Sequence, residues 1–129
     1  METALICLYV GGVLHIGWAV FHFFFPRIFK WQTALEPLDS LNRSIMQVLN
    51  LCLTFYFVVA AYLSLVFAHD LLNTPLGRKL VAVFAAFWLL RLGLQQRFFR
   101  VVHPASLLMS AAFLLTMLAY GIPLIIAGR

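Results

Sequence analysis

Four apolar runs, each about long enough to cross a bilayer, constrain this chain more than any other feature. They cover about Thr3 to Phe25, Ser44 to Ala68, Leu80 to Phe99 and Ala105 to Ala127, and roughly 20 mostly apolar residues suffice for a transmembrane helix. Backbone polar groups in hydrocarbon must be paired within the segment, and no alternating strand pattern is present, so these runs are expected to fold as helices. The predicted fold is all-α. It is a transmembrane four-helix bundle in a single integral-membrane domain, residues 1–129, with a short interfacial segment between helices 1 and 2. Composition agrees, since 64% of the residues are hydrophobic and 10% charged, a balance that one soluble core of this size could not hide.

The connections carry the expected punctuation. Pro26 ends the first run, Asn73-Thr74-Pro75 interrupts the second loop, His103-Pro104 opens the fourth run, and Pro123 is placed to kink the last helix. In the first loop, Ile28, Phe29, Trp31, Leu35 and Leu38 are interspersed with Arg27, Lys30, Gln32, Glu36 and Asp39. That mixture suits a short helix in the headgroup layer, with Trp31 and Lys30 as anchors. Asp39 or Ser40 can cap the second span. The start, Met1-Glu2-Thr3, lacks a cationic leader, so the first run is expected to be retained. Cys7 and Cys52 fall at different depths on antiparallel helices, too far apart for a disulfide.

The formal net charge of +5 is spread over loops and helix ends, which suits anionic lipid better than nucleic acid, and no nucleic-acid partner is expected. Arg27, Lys30, Arg43, Arg97 and Arg100 lie on the side of loops 1–2 and 3–4, against Arg78, Lys79 and Arg129 on the other. The excess predicts that those two loops are cytoplasmic and both termini outside.

Inside the spans, Arg91 is the outlier. An arginine near the middle of a span costs about 2.5 to 3.5 kcal/mol on insertion scales, so its side chain is expected to face protein, water or a headgroup. No Asp or Glu falls within any run. The candidate partners are Asn50, Gln47, His15, Gln95, backbone carbonyls, Glu36 or Asp39 from the first loop, and a ligand anion. Helical phase gives each run one face that can be buried. On the first, Ala4, Leu8, Gly11, His15, Ala19 and His22 share a side with Trp18 next to them; on the third, Phe84, Trp88, Arg91 and Gln95 do. Depth then gathers His15, His22, Asn50, Thr54, Gln95, Gln96, Ser106 and Ser110 towards one leaflet. Gly11, Gly12 and Gly17 are expected to let helices approach closely, and the small polar residues to act as interhelical glue.

Several chemistries are excluded by spacing. The chain has no Cys-x-x-Cys-His, no His-Glu-x-x-His, no phosphate-binding glycine loop and no paired carboxylates in a span. His15 and His22, seven residues apart, are too distant to share one metal. A bis-histidine haem would have to pair His22 with His103, and it ranks below a chain without cofactor. No catalytic residue is assigned, and a non-enzymatic role is expected.

The strings His15-Ile16-Gly17-Trp18, Phe29-Lys30-Trp31 with Leu41-Asn42-Arg43, and Phe87-Trp88-Leu89-Leu90-Arg91 with Gln95 resemble a family of small four-span bacterial membrane proteins. The resemblance covers the first three helices and is weak over the fourth. It implies a bacterial inner membrane and no particular activity.

Together these readings predict a one-leaflet polar site around Arg91, with His15, His22, Asn50, Gln95, Trp18, Trp88 and Phe84, that binds an anionic or polar-headed lipophile such as a lipid or a quinone. The alternative is a non-catalytic assembly subunit whose polar face pairs with another membrane protein or a second copy of the chain. The haem protein comes third.

Overall fold

The computed structural model describes residues 2–99 and 104–127, and among them it is all-helical, with no strand. The helices are α1 (Glu2–Phe23), α2 (Phe25–Ile28), α3 (Trp31–Ala34), α4 (Ser40–Val66), α5 (Ala68–Asn73), α6 (Pro75–Phe98) and α7 (Pro104–Ala127). Three of them, α1, α4 and α7, are long and apolar enough to cross a membrane. α6 is as long, but Arg78, Lys79, Arg91 and Arg97 dilute its apolar character.

Side-chain contacts fix an up-and-down order. His22 meets Asn50 while Gly12 faces Ser64 and Leu65, so α1 and α4 are antiparallel. Trp18 bonds Thr116 while Gly11 faces Tyr120, and Gln95 bonds Ser106 while Phe84 meets Tyr120, so α7 runs against both α1 and α6. α1 packs on α4 and α7, and α6 packs on α7. α4 and α6 meet through rings, Tyr56 on Phe87 at 4.8 Å and Phe57 stacked on Trp88 at 5.6 Å. The outer faces stay apolar, with Ile6, Val13, Leu49, Phe55, Leu89, Leu90 and Leu108 all exposed, which is the surface that lipid requires.

The connections differ from expectation in two places. The stretch after Ala68, expected to be loop, forms α5, which buries Ala68, Leu71 and Leu72. Gly77 makes that turn feasible: a Cβ there would strike the backbone of Asp70 and Leu71. α6 begins five residues before the predicted start at Leu80, because Pro75 can occupy the first turn and the Thr74 hydroxyl accepts from the Gly77 N–H at 2.9 Å. α7 continues through Pro123. The segment expected at the interface is two single turns, α2 and α3, joined at Lys30, whose φ of 48° is left-handed. Asp39 caps α4 by accepting from the Asn42 N–H at 2.9 Å. Cys7 and Cys52 are both free.

Candidate functional site: an Arg91 cavity beneath a closed polar core

The small residues on α1 let large polar rings enter the centre. A Cβ on Gly11 would lie 2.7 Å from the Tyr120 ring, and one on Gly12 would lie 2.7 Å from Leu65. Gly17 meets nothing within 4 Å, so it is not a packing glycine. In the space above Gly11 sits His15, fully buried and surrounded by the rings of Phe57, Phe84, Trp88 and Tyr120. Trp88 Nε1–H donates to His15 Nε2 at 3.2 Å. Indole nitrogen can only donate, so Nε2 is the acceptor and the ring hydrogen is on Nδ1. Nδ1–H is shared between the Gly11 carbonyl at 3.0 Å and the Tyr120 oxygen at 2.9 Å. The Tyr120 hydroxyl then donates to Ser64 Oγ at 2.8 Å. One turn further along, Trp18 Nε1–H donates to Thr116 Oγ1 at 3.1 Å, and the threonine hydroxyl donates to the Ala112 carbonyl at 2.8 Å. Tyr56, edge-on to His15, has a buried hydroxyl without a partner among the described residues.

Arg91 lies outside this core. It is half-buried, and its Nη1–H donates to Gln95 Oε1 at 3.0 Å. Gln95, 3% exposed, passes the chain on by donating to Ser106 Oγ at 3.1 Å. Gln96 likewise donates to Ser110 Oγ at 3.0 Å, and the Ser110 hydroxyl donates to the Ser106 carbonyl at 2.9 Å. The guanidinium carbon sits 4.4 Å from the Phe113 ring centre and 5.6 Å from that of Phe99. Arg91, Gln95, Trp18 and His22 line one cavity of about 530 Å³, whose remaining walls include Phe21, Phe25, Phe29 and Met109.

His22 links this cavity to a second one. It stacks on Phe25 at 4.0 Å, and its Nδ1 meets Asn50 Oδ1 at 3.0 Å while Asn50 Nδ2–H donates to the His22 carbonyl at 2.9 Å. Asn50 lines the second cavity, about 410 Å³, together with Trp31, Gln32, Arg43 and Gln47. Arg43 donates to the carbonyls of Leu35, Glu36 and Leu38 at 3.2, 2.9 and 3.1 Å, and so holds the α3 turn against the start of α4.

Of the eight residues expected at the site, the structure brings Arg91, Gln95, His22 and Trp18 to one cavity. His15, Trp88 and Phe84 are not on its wall. They share a helical face with it, but their neighbours at that depth are Tyr120 and Phe57, which close over them. Asn50 is one residue removed, acting through His22. Among the described residues, backbone carbonyls, Gln47, Glu36 and Asp39 are not partners of Arg91; of the candidates it takes Gln95. Phe99 and Phe113 were not singled out in the sequence, where nothing distinguishes them from the other phenylalanines. Tyr120, Ser64 and Thr116, outside the set expected around Arg91, complete the core. His103, the candidate haem partner of His22, and the cations Arg100 and Arg129 lie outside the described residues. No group of three or more metal-ligating side chains occurs among the described residues. Set against protein-family models, curated proteins and solved structures, the chain matches none of them.

Proposed function

We propose that the protein is a four-span membrane protein of the bacterial inner membrane whose Arg91 cavity, in the leaflet of loops 1–2 and 3–4, binds an anionic or polar-headed lipophile, a lipid or a quinone. The observation that carries this reading is the state of the guanidinium. Arginine has five N–H donors, and among the described residues one of them is used, on the neutral oxygen of Gln95. No carboxylate pairs with it there. Contact with the Phe113 face contributes about 1 to 2 kcal/mol at a half-buried site, whereas withdrawing an ion from water costs several kcal/mol. The difference is supplied by water at the headgroup level or by a bound polar head. The cavity favours the head, because its other walls are largely aromatic and would take the adjoining apolar part.

In this arrangement Arg91 holds the head, Gln95 fixes the guanidinium plane, and Trp18, Phe21 and Phe113 line the space for the tail. The test is extraction of lipids and quinones from purified protein, with mass spectrometry of the parent and of Arg91→Leu. A lipophile retained by the parent and lost from the folded variant is the expected result. Equal retention by both overturns the ligand role and leaves the assembly-subunit reading.

A further inference from the structure

His22 addresses Asn50 with one ring nitrogen and leaves the other for the cavity. Asn50 Nδ2–H is committed to the His22 carbonyl, so the amide presents Oδ1 to the ring, and the imidazole must donate from Nδ1. The neutral ring therefore keeps its lone pair at Nε2, on the edge away from Asn50. Nε2 has no hydrogen-bond partner among the described residues, and the ring belongs to the same wall as Arg91. Arg91 offers the complement, a full positive charge with spare N–H donors.

A head that satisfies both groups needs an anionic oxygen for the guanidinium and an O–H donor for the imidazole. An oxidised quinone has neither. A carboxylate has the charge without the donor, and a choline phosphodiester brings a cation of its own and no hydroxyl. A phosphodiester with a free hydroxyl on its headgroup has both.

We infer that the cavity takes an anionic phospholipid whose phosphodiester lies against Arg91 and whose headgroup hydroxyl donates to His22 Nε2. This rests on the reading of the cavity as a lipophile site and adds the identity of the head. His22 is then a specificity-determining residue, and Asn50 a positioning residue that fixes which imidazole nitrogen carries hydrogen.

The experiment uses the full chain in phosphatidylcholine nanodiscs, carrying Trp31→Phe so that Trp18 on the cavity wall and Trp88 in the core are the remaining indoles. Brominated phosphatidylglycerol, phosphatidylmethanol or phosphatidylcholine is added over the same series of increasing fractions, and quenching of tryptophan fluorescence is read. Phosphatidylglycerol is expected to quench at the lowest fraction, phosphatidylmethanol, which has the charge but no hydroxyl, at a higher one, and phosphatidylcholine at the highest. Arg91→Gln should remove the preference for both anionic lipids, roughly tenfold, as expected for one charge-assisted contact. His22→Phe should make phosphatidylglycerol equal to phosphatidylmethanol while both still exceed phosphatidylcholine. Because that change strands the Asn50 amide, His22→Phe with Asn50→Leu provides the same comparison in a chain without the orphan. Equal quenching by the two anionic lipids in the parent overturns the His22 contact. Equal quenching by all three, with an Arg91-dependent lipophile still recovered by extraction, overturns the anionic head and leaves the lipophile site standing. Failure of the extraction removes the site itself.

Discussion

Trp88 sets the hydrogen-bond direction at the centre of the bundle. Its indole must donate, so His15 accepts at Nε2, and the order His15 to Tyr120 to Ser64 follows. All four side chains are at most 1% exposed. Interhelical hydrogen bonds in membranes average about 0.6 kcal/mol and reach about 1.7, so Tyr120→Phe should destabilise the fold by about 1 kcal/mol. Gly11→Ala should be worse despite adding only a methyl group. Its Cβ would fall 2.7 Å from Cζ of a tyrosine ring that bonds to His15 and Ser64 hold in place, and overpacking of this kind costs about 1 to 3 kcal/mol. Gly17→Ala, into open space, should be neutral or slightly stabilising. Reversible unfolding in mixed micelles measures all three, and equal effects at Gly11 and Gly17 would show that Tyr120 is not lodged against α1.

At the scale of elements, the start of α4 is held by two residues with separable roles. Asp39 accepts from the Asn42 N–H and from the Asn42 side chain, and both bonds hold its carboxyl below the usual value of 3.8. A folded value below the unfolded one means that the cap stabilises fully above pH 3.8 and fades as the pH falls through the depressed value. Asp39→Asn, which caps nearly as well, should match the parent at neutral pH and remain unchanged in acid. Asp39→Ala should melt lower at neutral pH, and the parent should converge on it as the pH falls through the depressed value. A parent-to-alanine difference that persists unchanged in strong acid would contradict the carboxylate cap. Arg43 works through shape as much as charge, since its planar fork reaches three carbonyls of the turn before α4. Arg43→Lys, with a single ammonium, should expose residues 30–39 to limited proteolysis nearly as much as Arg43→Leu. Cleavage at the parent rate in the lysine variant would reduce the contact to simple electrostatics.

For the whole molecule, legibility in the sequence followed what length and phase can encode. Apolar length located the long helices to within a few residues, except at α6, where the Thr74 cap and the Gly77 contact with α5 extend the helix across a stretch that composition marks as loop. Phase showed which face of each helix turns inward, but not which neighbour stands opposite. Arg91 and Trp88 therefore looked equivalent, although one meets a cavity and the other meets His15. How often the chain crosses the bilayer turns on α6. α1, α4 and α7 qualify by length and apolarity, and α6 does not. Yet Trp88 of α6 is 1% exposed and packs on Trp18, Phe57 and Phe113, one from each of the other long helices. A helix that inserts its indole at that shared depth is expected to lie in the same slab as its neighbours. Four crossings return the chain to its starting side, whereas three would leave the termini opposed. Alkaline phosphatase, active only outside, and green fluorescent protein, fluorescent only inside, fused in turn to each end of the full chain, separate the cases. Both ends are expected to report the outer side, in keeping with the cations of loops 1–2 and 3–4 facing the cytoplasm. Opposite reports from the two ends would remove α6 from the membrane and with it the leaflet assigned to the Arg91 cavity, while two cytoplasmic reports would keep the four crossings and invert only the charge-based orientation.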